Sequence, residues 1–88
     1  MNKNIIFGDT AWEDYTEWLK EDKKVLKKIN DLIDNISRTP FEGLGKPEPL
    51  KNELSGYWSR RITEKHRLIY KLYEDKLYII GCKEHYDN

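Results

Sequence analysis

The run Trp58-Ser59-Arg60-Arg61-Ile62-Thr63-Glu64-Lys65-His66-Arg67-Leu68-Ile69-Tyr70-Lys71 restricts this chain more than any other stretch. It reads as two strands joined by a tight polar turn. Alternation places Trp58, Arg60 and Ile62 on one side of the first strand and Ser59 and Arg61 on the other. In the second strand His66, Leu68 and Tyr70 share a side, and Arg67, Ile69 and Lys71 share the opposite one. A half-buried sheet has one apolar and one wet face. Here both faces mix apolar with cationic groups, and five cations (Arg60, Arg61, Lys65, Arg67, Lys71) stand against one acid, Glu64. A hairpin of this composition suits the fixing of guanidinium groups, whose planar fork matches a phosphate.

The rest of the chain must build a core behind that hairpin from 88 residues. A single domain spanning residues 1–88 is expected, burying about 60–65% of its unfolded surface and leaving little room for a deep cofactor cavity. Asn4–Phe7 is a short apolar run ending at Gly8, read as a first strand. Thr10 with Glu13 three residues on has the capping-box form. Trp12, Tyr15 and Leu19, with Trp18 beside them, repeat at the spacing of a short amphipathic helix, and its aromatics are read as core packing. Glu21-Asp22 opens a second helix, in which Val25, Leu26, Ile29, Leu32, Ile33 and Ile36 keep helical spacing until Pro40 forbids continuation near Arg38-Thr39. Its lysines Lys23, Lys24, Lys27 and Lys28 read as a solvated face or as a contact for RNA backbone. Residues 39–49 hold three prolines and two glycines and are read as a stiff loop. After the hairpin the chain turns at Glu74-Asp75-Lys76 into a last strand containing Leu77, Ile79 and Gly81. The expected class is α+β, a mostly antiparallel sheet with two N-terminal helices packed on one face.

Sixteen basic and sixteen acidic residues cancel, but the second half is slightly cationic and the hairpin strongly so. Cys82 is the only cysteine, which excludes an intrachain disulfide and a multi-thiolate zinc site. No apolar run approaches a membrane span and no signal-peptide core is evident, so a cytoplasmic location and no membrane partner are expected. His66, His85 and the scattered acids lack metal-ligand spacing, and no glycine-rich phosphate loop opens a helix. No metal and no cofactor are expected.

What remains is a carboxylate held between two prolines (Glu48), the guanidinium hairpin, and a histidine and tyrosine just past the last strand (His85, Tyr86). RNA carries its own nucleophile, the 2′-hydroxyl. Cleavage there needs a base, an acid for the departing 5′-oxygen, and positive charge for the phosphorus between them. His85 titrates near neutrality and suits the acid. Glu48 suits the base if burial raises it above the weak value of about 4.3 of a free glutamate. Arg67 suits the phosphate. The plainer alternatives stay open on residue chemistry alone. Glu48 can pair with Lys46 or Lys51, His66 can be a surface residue of the hairpin, His85 can belong to a loose tail, and Tyr86 can be an exposed edge aromatic or one that stacks on a nucleobase.

Thr39-Pro40-Phe41-Glu42-Gly43, Gly45-Lys46-Pro47-Glu48-Pro49-Leu50-Lys51, Leu54-Ser55-Gly56-Tyr57-Trp58-Ser59-Arg60-Arg61-Ile62, His66-Arg67-Leu68-Ile69-Tyr70 and Cys82-Lys83-Glu84-His85-Tyr86 together resemble the YoeB (Txe) toxins of bacterial type II toxin–antitoxin systems. The resemblance also takes in Trp12, Tyr15 and Lys27-Lys28-Ile29-Asn30, and so nearly the whole chain. It implies a RelE/ParE-like fold and a ribosome-dependent mRNA endonuclease, or mRNA interferase, that cuts the codon in the A site and inhibits translation. It implies Glu48 as general base, Arg67 as phosphate binder, His85 as general acid and Tyr86 as a substrate-positioning tyrosine. Lys51 and Arg61 match basic positions around the scissile phosphate. The implied partners are a YefM/Axe-type antitoxin, the ribosome with its mRNA and ribosomal RNA, a second copy in a homodimer, and operator DNA only through the antitoxin complex.

Two departures stand out. Lys65 replaces an acid that relatives often carry, adding positive charge beside the RNA-binding positions, and Asp87-Asn88 extend past the usual terminal tyrosine. Two competing readings remain: a ParE-like gyrase poison of the same fold, which needs no acid–base pair, and a non-catalytic antitoxin-binding module in which His85 is dispensable.

Overall fold

A computed structural model describes residues 4–84. The chain runs β1 (Asn4–Phe7), α1 (Asp9–Glu21), α2 (Lys23–Arg38), β2 (Glu48–Pro49), a single 3-10 turn (Asn52–Leu54), β3 (Trp58–Arg61), β4 (Arg67–Tyr73) and β5 (Lys76–Gly81). The five strands form one sheet in the order β1-β5-β4-β3-β2. Only the β1–β5 pair is parallel; the other neighbours are antiparallel. The expected α+β class and mostly antiparallel sheet are therefore found, with the first strand returning to lie beside the last.

Both helices cover one face of the sheet. Ala11 and Trp18 of α1 and Ile29, Leu32, Ile33 and Ile36 of α2 pack on Leu68, Tyr70, Leu77 and Ile79. The apolar stripe of α2 lands on this cluster as its spacing requires. Asp22 caps α2, its Oδ1 accepting from the amides of Lys24 at 3.0 Å and Val25 at 3.3 Å. The helix stops at Arg38, ahead of Pro40. On its outer side Lys27 pairs with Asp31 and Arg38 with Asp34, both exposed.

Two expectations for α1 are corrected. Thr10 is not the cap: the helix starts at Asp9, and the Gly8 carbonyl accepts from Trp12 N while Gly8 N donates to Ile79 O. Docking of Gly8 on β5 sets the start of the helix, overriding the capping-box pattern. Nor do all the residues of its apolar stripe enter the core. Trp18 is buried, but Trp12 is 53% and Leu19 49% exposed. Trp12 instead stacks on Tyr15 and meets Phe7 edge-on, forming a surface aromatic cluster beside the edge strand β1.

The loop after α2 presses on the hairpin at Gly45. Its φ of +81° is left-handed, and a Cβ there would lie 2.9 Å from Leu32 Cδ2 and 3.0 Å from Arg61 O. Gly45 O accepts from Arg61 N at 2.7 Å, so a glycine at this point stitches the loop to β3. Among the described residues no helix is long and apolar enough to cross a membrane. Cys82 is wholly buried just past β5, and burial, with the Asp14 carboxylate nearby, pushes its thiol up to about 12. It is expected to resist iodoacetamide in the native state at pH 8 and to react on unfolding, read by mass spectrometry; rapid native alkylation would contradict its placement.

Candidate functional site

Arg60 departs most from the sequence reading. It is one of the five hairpin cations, yet it is fully buried and offers nothing to a phosphate. Alternation sends it to the helix side with Leu68 and Tyr70, opposite Leu68 in register. There its Nε donates to Tyr70 Oη at 3.2 Å. Nη1 donates to Asn35 Oδ1 and to Leu44 O, and Nη2 to Thr39 O and Glu42 O, at 2.5–3.0 Å. Tyr70 Oη donates onward to Pro40 O at 2.7 Å. A buried guanidinium is tolerable only when its donors are met, and here the loop after α2 supplies the acceptors. The loop that leads to Glu48 is thus gathered around one side chain.

That loop, expected to be stiff but without regular structure, ends instead in β2, a two-residue edge strand. Glu48 pairs with Ser59 and Pro49 with Trp58. Glu48 therefore projects with Ser59 from the helix-free face of the sheet, as do Arg61 and Arg67, which oppose each other across β3 and β4. Side chains directly opposite on one face have Cβ atoms about 4.5–5.5 Å apart, and diagonal ones about 7–8 Å. Arg61 and Arg67 are an opposite pair, and Glu48 is diagonal to Arg61. Glu48 and Arg61 are exposed and Arg67 half-buried. Glu48 takes no part in the ion pairs that Lys27, Arg38 and Lys83 form among the described residues.

Arg67 is fixed by its own turn. Nη1 donates to Thr63 O, Glu64 O and His66 O at 2.9–3.1 Å. Lys65 lies in that turn, exposed, its amide donating to Thr63 Oγ1. Lys51 lies at the opposite end of β2, exposed, as the cap of the 3-10 turn. The structure thus brings Glu48, Arg61 and Arg67 to one corner, sets Lys65 just beyond it, and puts Lys51 farther along the edge. His85 and Tyr86 lie outside the described residues.

The segment leading to His85 is tied down on two sides. Cys82 N donates to Asp14 Oδ2, and Trp18 Nε1 donates to Cys82 O at 2.8 Å. Lys83 Nζ reaches Glu17 at 2.7 Å and Glu21 at 2.8 Å and sits over the Trp18 ring; the two carboxylates raise its pKa. Glu84 O accepts from Arg67 N at 2.9 Å, and Glu84 N donates to His66 Nδ1 at 2.6 Å. His66 also meets Trp18 edge-on at 4.8 Å. It is thus a tether for residue 84, a role the sequence reading, which weighed it as a surface residue, did not see.

This tether has a pH consequence. Burial, then the charges of Lys65 and Lys83, lower the His66 pKa below its ordinary 6.5 against the smaller pull of Glu84 and Glu21. A lowered histidine stabilises the fold in full above its unfolded value, and the contribution is lost as pH falls through the folded one. Acidification from pH 7.5 to 5.5 is therefore expected to lower the protection of the Glu84 amide, relative to its intrinsic exchange rate at each pH, and to lower stability, and His66→Ala to remove that component. Asp14, raised chiefly by burial, acts in the opposite sense lower down, in the carboxylate range. A Glu84 amide equally protected at both pH values would contradict the tether.

Two helices on one face of a five-stranded, mostly antiparallel sheet give an α+β fold of the RelE/ParE toxin type. The family model described as "YoeB-like toxin of bacterial type II toxin-antitoxin system" matches residues 7–86. The chain is 56% identical over 82 residues to the YoeB toxin of Escherichia coli K12, covering 93% of this chain and 98% of that one. A YoeB/ParE toxin from Agrobacterium tumefaciens superposes with a TM-score of 0.93 at 48% identity, covering 94% of this chain and 99% of the other. A YoeB dimer from Staphylococcus aureus superposes with a TM-score of 0.91 at 47% identity, covering 98% of this chain and 100% of the other; YoeB of that organism is also solved as a heterotetramer with YefM. The chain belongs to the YoeB-like toxins of type II toxin–antitoxin systems.

Proposed function

We propose that this toxin is a ribosome-dependent mRNA endonuclease whose site is the corner of Glu48, Arg61 and Arg67, completed by His85 and Tyr86. The single observation that supports it most is the register of Arg61 against Arg67 on the helix-free face. Like charges directly opposite are destabilising, and an anion between them reverses that cost. A phosphate diester seated there lies diagonal to the Glu48 carboxylate. Glu48 takes the 2′-hydroxyl proton, the 2′-oxygen attacks phosphorus, and the 5′-oxygen leaves with a proton from His85. The products are a 2′,3′-cyclic phosphate and a 5′-hydroxyl. The substrate supplies the nucleophile and the guanidiniums the positive field, so the step needs no metal ion.

The chain carries no net formal charge and attracts free RNA weakly. Docking on ribosomal RNA, with Lys51, Lys65 and the lysines of α2 as contacts, brings the mRNA into line and supplies the burial Glu48 lacks. The partner that neutralises the toxin is a YefM-type antitoxin and the toxin pairs as a homodimer, on the pattern of the S. aureus relatives' assemblies; operator DNA is met only through the antitoxin complex. Primer extension on mRNA bound to purified ribosomes tests the reading. A new stop within the A-site codon on adding the protein is the expected result; unbroken mRNA at protein saturation would contradict it.

A further inference from the structure

The helix-free face carries a second feature, far from the arginine corner. Tyr57, Lys71, Tyr73, Tyr78 and Ile80 line a cavity of about 240 Å3. Lys71 Nζ lies 5.2 Å from the Tyr57 ring centre and 5.9 Å from that of Tyr73. Tyr78 faces Lys71 from β5 in register. Ligand cavities for drug-sized molecules run from about 300 Å3 upward, so this one takes a single ring system. Its walls are three phenol rings with one aliphatic side chain, and its cation sits between rings. Lys71 follows Arg67 by four positions along β4, and both project from the same face. At a rise of about 3.3 Å per residue the cavity lies ~13 Å from the corner, a span of a few nucleotides.

We propose that this cavity is a nucleobase-stacking subsite for the RNA strand whose phosphate occupies the Arg61–Arg67 corner. The proposal rests on the function put forward above and extends it along the strand. A base presents its π-face to the tyrosines, and its phosphate gives Lys71 a partner. An aliphatic peptide anchor would meet one isoleucine and desolvate the ammonium without return. Stacking of this kind holds a strand without reading its sequence.

The test is an NMR titration of the full-length protein with a hexaadenylate RNA and with an abasic hexamer of the same backbone. Hexaadenylate is expected to move the ring signals of Tyr57, Tyr73 and Tyr78 and the Nε–H signals of Arg61 and Arg67. The abasic hexamer is expected to move only the arginine signals. Tyr73 is 56% exposed, so Tyr73→Ala leaves the fold and is expected to weaken hexaadenylate binding about tenfold or more, while Tyr73→Phe retains it. Equal ring shifts with both oligomers would reduce the cavity to a phosphate contact and overturn the subsite. Ring signals that stay put while the arginines respond would overturn it and leave the endonuclease reading standing, since that reading is decided separately by primer extension. No response at either place, or ring shifts given only by a leucine-rich peptide, would overturn it too.

Discussion

Arg60→Ala is expected to lose about 3–5 kcal/mol of folding stability, the scale of breaking a buried charge network. A domain of this size holds only about 5–15 kcal/mol in total. The loss follows from what the guanidinium leaves behind. Thr39 O, Glu42 O and Leu44 O lose their donor, Asn35 Oδ1 keeps only the Leu44 amide, and Tyr70 Oη loses its cationic neighbour. With ~4–8 °C of Tm per kcal/mol at this chain length, the melting temperature falls by upward of about 12 °C. Arg60→Lys restores the charge but not the fork, and is expected to recover only part. Arg61→Ala, one residue on and exposed, is expected to change stability by no more than about 0.5 kcal/mol. Two adjacent arginines thus separate into a buried structural one and an exposed one left for the proposed RNA contact, and thermal unfolding of the two variants reads the difference in their structural weight. Equal melting temperatures would contradict the buried network.

Glu48→Gln carries the largest expected effect on activity, a fall of about 10²–10⁴-fold in single-turnover cleavage of ribosome-bound mRNA. The change keeps shape and removes the base. It lies in an exposed two-residue edge strand whose pairing with Ser59 uses backbone groups only, so melting is expected to move little. That combination separates chemistry from folding, which Arg60→Ala cannot do. Arg67→Ala mixes the two, because its guanidinium also holds three carbonyls of the turn. Undiminished cleavage by Glu48→Gln would remove Glu48 from the reaction.

The hairpin and α2 were legible because alternation and helical spacing act locally. The same alternation puts Arg60 on one side with Trp58 and Ile62, but it does not tell which side is the core. What hid its role was the cost of burying a charge, which only acceptors from residues 35–44 offset, and a one-dimensional pattern does not show them. Trp12 and Leu19 kept helical spacing yet stay exposed, since that side of α1 looks past the edge strand β1. The β1–β5 pairing joins residues about seventy positions apart and has no local signature. β2 is too short for periodicity and contains a proline, yet it sets the direction of Glu48. The corner residues were candidates by chemistry and by likeness to a family; their shared face came from the strand register. His66 reads as a surface residue of the hairpin because its partner, the Glu84 backbone amide, leaves no mark in the residue pattern.

In the proposed reaction RNA supplies its own nucleophile between Glu48 and the paired arginines. Replacing the A-site nucleotide 5′ to the cut by its 2′-deoxy analogue, in mRNA bound to ribosomes, tests this with the toxin unaltered. The expected result is loss of the cut at that position, with all-ribose mRNA still yielding a 2′,3′-cyclic phosphate upstream and a 5′-hydroxyl downstream. A cut of undiminished rate at the deoxy position would contradict it.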